Sequence, residues 1–303
     1  MSFAAYTIKD SSRPAIALVT GGRSGIGKAI ANKIATFPFV ENVLIVSRSV
    51  KESDLQNSKF VAVAADIGTA EGRQIVIDKV ASLTTESGRQ LRYLVHSAGT
   101  IEPIRLAGQI TPEEFRSALN VNLEGPFFLS TALYPFLEAK DDDAAAGRIL
   151  HVSSGAAHGA PPIGWGVYGI TKAAFFQSFK VLSREFEHLG GKVVVGSFKP
   201  GVVDTSMQGV IRESPAESMP VVGNFKALKE KVLAQAAEGA STKAMPPPKG
   251  ALDSPDNVAF FAEWLLLGTT DEEFSNLSEP NEYDIRDSSL FPKWIPEENL
   301  PND

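Results

Sequence analysis

The chain alternates short, uninterrupted apolar runs with longer segments whose apolar positions recur every three or four residues. AIALVT (15–20), NVLIVS (42–47), KFVAVAAD (59–66), LRYLVHSAG (91–99), GRILHVSS (147–154) and KVVVGSFKPG (192–201) are of the first kind. Continuous hydrophobicity without polar alternation marks strands buried on both faces. Ile26, Ile30, Ile34 and Phe37 share one helical face within 25–37, and further helices are predicted over 69–84 and 168–188. Residues 111–139 read as one long helix, with Thr111 as N-cap and Pro112 at the first helical position, where a missing N–H costs nothing. This alternation predicts an α/β fold: a doubly wound parallel sheet covered on both faces by helices and joined by right-handed crossovers.

The pattern breaks after Gly201. Residues 203–253 carry scattered Met207, Met219, Phe225 and Met245, a proline triplet at 246–248 and one helical stretch around 224–238. They are too short and irregular for a core of their own, so the expectation is one domain over 1–303 with an inserted substrate lobe. A helix rich in Phe, Trp and Leu returns at 255–267, and the Pro-rich, acidic tail over 288–303 reads as a surface arm.

Composition narrows the partners. A net charge of −7 argues against a nucleic-acid binder, which presents a basic face. With no cysteine, disulfides, thiolate metal sites and cysteine nucleophiles are excluded. That fits a reducing compartment, and a cytoplasmic location is expected. MSFAAYTIKDSSRP lacks the apolar core of a signal peptide, and no stretch reaches the roughly 18 apolar residues of a membrane span. His96, His151, His158 and His188 lack metal-ligand spacing and read as structural. The expected partner is a small molecule, not nucleic acid or a membrane.

Candidate chemistry begins at VTGGRSGIGKAI, where Gly21, Gly25 and Gly27 lie between the first strand and the first helix. Glycines permit a tight turn and close backbone approach, and the helix N-terminus offers free N–H groups to a pyrophosphate. The second strand ends in Ser47-Arg48, without the carboxylate that accepts a bond from the NAD ribose. Arg48, with Arg23 from the glycine turn, offers guanidinium groups suited to the 2′-phosphate of NADP(H). Ordinary surface arginines are the alternative.

Further on, Tyr168 and Lys172 stand one helical turn apart in GWGVYGITKAAFF. Tyrosine is a poor acid at neutral pH, with an ordinary pKa of about 10, and a neighbouring cation lowers it.

The T-G-x-x-x-G-x-G spacing resembles that of the short-chain dehydrogenases/reductases, and the resemblance runs from about residue 15 to 206. It implies a Rossmann-type fold with Gly21, Arg23, Ser24, Gly25, Ile26 and Gly27 around the cofactor. It matches Asp66 and Ile67 to positions contacting the adenine, although a turn-starting aspartate is an alternative. HSAG (96–99) stands where the family has N-N-A-G: Ser97, Ala98 and Gly99 would touch the cofactor, with both asparagines replaced. Pro200, Gly201, Val203 and Thr205 match a motif at the nicotinamide. The resemblance makes Tyr168 the proton donor, Lys172 its activator and ribose anchor, and Asn122 the holder of a water in a proton path. Ser154 would polarise the carbonyl; it lies fourteen positions before Tyr168, one more than is common in the family.

RILHVSSGAA, GWGVYGITKAA and PGVVDTSMQ are most similar to the sepiapterin reductases and microbial benzil reductases. An NADPH-dependent reductase of a ketone or vicinal diketone is therefore expected. Ser154, Trp165, Tyr168 and Met207 would meet the substrate. Asp284 in NEYDIRD aligns with an acid that anchors a pterin, or is simply part of an acidic tail. Alternatives are a silent NADP(H)-binding sensor or scaffold, and a dehydrogenase of a larger, steroid-like alcohol. The resemblance also implies a homodimer or homotetramer through the long helix and the Tyr/Lys helix.

Overall fold

The computed structural model describes residues 13–140, 145–235, 243–275 and 282–301. Residues 236–238 of the expected lobe helix, most of MSFAAYTIKDSSRP and the end of the tail lie outside the described residues. Six apolar runs form strands: β1 (Ala15–Thr20), β2 (Val40–Ser47), β3 (Phe60–Ala64), β4 (Gln90–His96), β5 (Gly147–Val152) and β6 (Val193–Lys199). The sheet is parallel, in the order β3-β2-β1-β4-β5-β6, with a seventh strand beyond β6. Strand order reverses between β1 and β4, which opens a crevice at their C-terminal ends, where such folds bind ligands.

Helices cover both faces. On one lie α1 (Gly25–Ala35) and α8 (Pro255–Glu263), enclosing Ile30, Ile34, Val258 and Phe261. On the other, α2 (Ala70–Ser87), α4 (Gly125–Leu137) and α5 (Gly166–His188) bury Val76, Leu133 and Phe179. The lobe supplies α6 (Ser206–Glu213) and α7 (Val222–Gln235), which pack beside the crevice. Among the described residues, no helix is long and apolar enough to cross a membrane.

The expected single helix over 111–139 is interrupted. Thr111 caps α3 (Pro112–Leu119) as read: its hydroxyl accepts from the Glu114 N–H, and the Glu114 carboxylate accepts from the Thr111 N–H. Between α3 and α4, residues Asn120–Glu124 form a wider π turn, with the Gly125 N–H reaching back to the Asn120 carbonyl. Pro126 has no N–H to give to Asn122, so regular α geometry would leave that carbonyl without its partner.

Two expectations about the C-terminal region are corrected. A seventh strand, β7 (Tyr283–Asp284), pairs in parallel with Phe198 and Lys199. The tail is also more than a surface arm. α9 (Phe291–Trp294) places Trp294 and Ile295 in the core, with the Trp294 ring 5.3 Å from that of Phe261. Proline and acidic residues dominate the tail's composition and mask the few apolar side chains that anchor it.

Candidate active site

A cavity of about 590 Å³ opens at the C-terminal ends of the strands. Its floor begins at the glycine turn after β1. Gly21 has φ +69°, and a Cβ there would lie 2.8 Å from the Ala98 nitrogen; one at Gly27 would lie 2.5 Å from the Gly21 carbonyl oxygen. No larger residue fits either place without displacing backbone. Thr20 braces this floor: its hydroxyl accepts from the N–H groups of Ser97 and Ala98, each at 3.2 Å.

The start of α1 is left open. Thr69, Thr111 and Ser254 cap their helices with side-chain bonds, whereas Ser24 makes no such bond. Ser24, Gly25, Ile26 and Gly27 line the cavity, so the free N–H groups and the positive end of the helix dipole face it. Ser97, Ala98 and Gly99 line it after β4, and Pro200, Gly201, Val203 and Thr205 after β6.

Arg48 follows β2 and also lines the cavity, whereas Arg23 does not. Arg23 is drawn outward: its Nε lies 3.5 Å from Asp54, and its Nη1 donates to the Ser49 hydroxyl at 3.3 Å. Asp66 and Ile67 also lie outside the lining. The Asp66 carboxylate accepts from the Gly68 N–H at 3.0 Å, the bond of a turn-starting aspartate, and Ile67 is buried in the core.

Trp165, Tyr168 and Lys172 all face the cavity from the first turns of α5. Ser154 lines the cavity beside Tyr168, and its side chain accepts from the Ala156 N–H at 3.1 Å. Between Ser154 and α5 the backbone makes one 3-10 turn (Gly155–Ala157) and then follows no regular element to Trp165. Ser153 is buried, and its hydroxyl has no partner among the described residues. Burial raises the Tyr168 pKa above its ordinary value, and the nearby Ser154 hydroxyl pulls it partway back. The direction at Tyr168 is therefore upward, against the lowering expected from the Lys172 spacing alone. Lys172 donates to the Val152 carbonyl at 3.1 Å, with its Nζ 5.9 Å from the centre of the Tyr168 ring. Its own pKa falls to about 8 through burial, partly offset by the carboxylate of Glu282.

Asn122 projects from the π turn and does not line the cavity. Its Oδ1 accepts from the Thr100 N–H at 2.8 Å; its Nδ2 donates to the Thr100 carbonyl at 2.8 Å and to the Thr171 hydroxyl at 3.0 Å. A Cβ at Gly99 would lie 3.3 Å from Asn122 Oδ1 and 3.9 Å from Lys172 Nζ, so Asn122 stands close behind the lysine.

One side of the cavity is apolar. Trp165 meets Tyr168 edge-on, with ring centres 5.7 Å apart, and lies 5.4 Å from Phe225; Ile101, Met207 and Ile211 complete the wall. His96 and His151 pair across β4 and β5, with ring centres 5.4 Å apart. Burial lowers His96 to about 3 and His151 well below its ordinary value, so both are neutral members of the core.

Sequence reasoning overlooked two residues. Glu282 is buried and accepts from the Ser197 hydroxyl and pairs with His158 Nε2, both at 2.7 Å; its only sequence context is an acidic stretch. Arg286 lines the cavity, two positions beyond the Asp284 that drew attention. Asp284 itself is engaged: Oδ1 accepts from Arg286 Nε at 3.0 Å and Oδ2 from Nη2 at 2.8 Å, with Lys199 at 3.3 Å. Burial pushes the Asp284 pKa up, but these cations outweigh it and hold the carboxyl below its usual range.

A parallel sheet of this order, with a glycine turn feeding an uncapped helix at the switch point, defines a Rossmann-type dinucleotide-binding protein. The chain belongs to the short-chain dehydrogenase family, whose profile matches residues 15–216, and is an oxidoreductase acting on alcohol or carbonyl groups. It is 28% identical to the benzil reductase ((S)-benzoin forming) of Bacillus cereus over 220 residues, spanning 70% of this chain and 85% of that one. It is 28% identical to the sepiapterin reductase of Bos taurus over 215 residues, spanning 67% and 78%. Among solved structures, the KRED1-Pglu enzyme superposes with a TM-score of 0.68 at 26% identity, covering 86% of this chain and 98% of that one. A short-chain dehydrogenase/reductase of Saccharomyces cerevisiae superposes at 0.72 with 23% identity, covering 93% and 100%, and so shares the fold.

Proposed function

We propose that the chain reduces a ketone or vicinal diketone with NADPH, Tyr168 giving the proton to the carbonyl oxygen. The observation that carries this reading is that Ser154, Tyr168 and Lys172 line one cavity with the uncapped start of α1. The glycine turn and that helix end fit a dinucleotide pyrophosphate. When bound, the nicotinamide supplies a hydride to the carbonyl carbon. Ser154 and Tyr168 hold the carbonyl oxygen as negative charge grows on it. Because burial raises Tyr168, the phenol keeps its proton at neutral pH until that oxygen takes it. Lys172, one turn further along α5, stabilises the phenolate left behind, and Asn122 fixes Thr100 and the floor behind the lysine.

Arg48 supports NADP(H) over NAD(H), since it faces the cavity and Ser47 supplies no competing carboxylate. The relatives' printed activities support a vicinal diketone or a pterin ketone as substrate class. A cytoplasmic homodimer or homotetramer belongs to the same reading, and the exposed Phe128 and Ile170 on α4 and α5 support it. The test is NADPH oxidation with benzil and sepiapterin. We expect Tyr168→Phe to lower kcat/KM about a hundredfold or more, with the NADPH Kd unchanged within about twofold. A wild-type protein that binds NADPH and oxidises it with no carbonyl of a broad panel is a sensor, and the reading fails.

A further inference from the structure

Arg48 and Arg286 both line the cavity, but from opposite ends of the sheet. Arg48 follows β2, and Arg286 follows β7, five strands away. At an interstrand spacing of about 4.8 Å that is roughly 24 Å, too far for both guanidinium groups to serve one phosphate. Arg286 instead stands beside the end of β6. Its Cδ lies 3.8 Å from where a Cβ of Gly201 would be, on the side of the sheet that carries Ser154.

The guanidinium is held in place. Asp284 takes Nε and Nη2 in a two-point bond, which fixes its plane and leaves the Nη1 edge without a bond from that carboxylate. Asp284 does not cancel the local charge, because Lys199 lies against the same carboxylate: two cations share one anion. The Arg286 side chain is about half exposed, and Glu102 is the only acid among the described residues lining the cavity. The same cavity that Arg286 and Tyr168 line also carries the apolar side chains of Trp165, Met207 and Phe225. A ligand matching this surface has a carbonyl at one end, an apolar body and an anionic end.

We propose that Arg286 selects carbonyl substrates carrying a carboxylate, an aromatic or aliphatic oxo-acid, with the guanidinium pairing with the carboxylate while the carbonyl meets Ser154 and Tyr168. This deepens the carbonyl-reductase reading and rests on it for the carbonyl end. It departs from recognition of a pterin by Asp284, whose two oxygens are already taken up by Arg286.

The test measures binding as well as turnover. With protein saturated by NADP+, calorimetry compares benzoate with benzamide, a neutral molecule of the same shape, in wild type, Arg286→Met and Arg286→Lys. We expect wild type to bind benzoate about tenfold or more tightly than benzamide, Met to abolish the preference and Lys to restore part of it. The ratio of kcat/KM for 4-acetylbenzoate to that for its methyl ester should fall in the same order. Equal binding of benzoate and benzamide by wild type overturns the inference. So does a tenfold loss of NADP+ affinity in Arg286→Met, which would assign the residue to the cofactor. Wild-type turnover of benzil tests the carbonyl-reductase reading separately, because the calorimetric result stands whether or not benzil is reduced.

Discussion

Asn122 and Thr100 hold each other twice, the amide of one side chain closing on both the N–H and the carbonyl of the other's backbone. The third bond of Asn122 reaches the Thr171 hydroxyl, which in turn donates to the Tyr168 carbonyl at 2.9 Å. Asn122→Ala leaves half-buried backbone groups of Thr100 and the buried Thr171 hydroxyl without this partner. Urea unfolding should show a loss of roughly 2–3 kcal/mol. A loss below about 0.5 kcal/mol would mean that water replaces the amide at no cost.

Lys172 gives stability a pH dependence of unusual sign. Its folded pKa of about 8 lies below its ordinary 10.5. Between those values the unfolded chain holds a proton that the folded chain has released, so stability rises with pH. Above pH 10 the raised Tyr168 works in the opposite direction, since the folded chain then keeps a phenolic proton that the unfolded one loses. The informative window is therefore pH 8 to 10. Over it, the stability of wild type relative to Lys172→Met should grow by roughly 2 kcal/mol. A constant difference, measured by urea unfolding at each pH, would show that the lysine is not desolvated.

Arg48 is expected to discriminate the cofactor. Removing a guanidinium from a phosphate costs a charge-assisted bond. Arg48→Ala should weaken NADP+ binding about ten- to a hundredfold and leave NAD+ within about twofold. Equal losses for the two cofactors in fluorescence titrations would place Arg48 at the shared part of the molecule.

Trp294 tests whether the tail belongs to the core. Its indole packs edge-on to Phe261 and lies 6.2 Å from Phe291, and its Nε1 has no partner among the described residues. Truncation therefore removes packing without removing a hydrogen bond. Trp294→Ala should cost about 3–5 kcal/mol in urea unfolding. A cost under about 1 kcal/mol would return the tail to the surface.

The β1-to-β6 frame was legible because each strand is an apolar run between polar helices, and β5 and α5 then bring Ser154 to Tyr168 across a distance that sequence leaves open. β7 was not legible. Two residues carry no periodicity, and Tyr283 becomes a strand residue only because Phe198 lies beside it. The π turn was hidden for a related reason: Asn120–Glu124 keeps a helical pattern, and only Pro126 hints that one turn must widen. Asp66 matched a motif and Arg23 offered a second guanidinium, yet Asp66 bonds Gly68 and Arg23 turns to Ser49 and Asp54. Arg286 was passed over because its importance depends on where β7 ends.

The Thr20 brace bears on how the cavity receives a ligand. With the Ser97 and Ala98 amides tied to β1, the turn that would cradle a pyrophosphate has few alternative shapes to give up. Ordering a loop on binding is an entropic loss, and here that loss falls on the ligand rather than the protein. A dinucleotide should therefore dock as onto a rigid surface, its affinity set by contacts made and not by chain ordered.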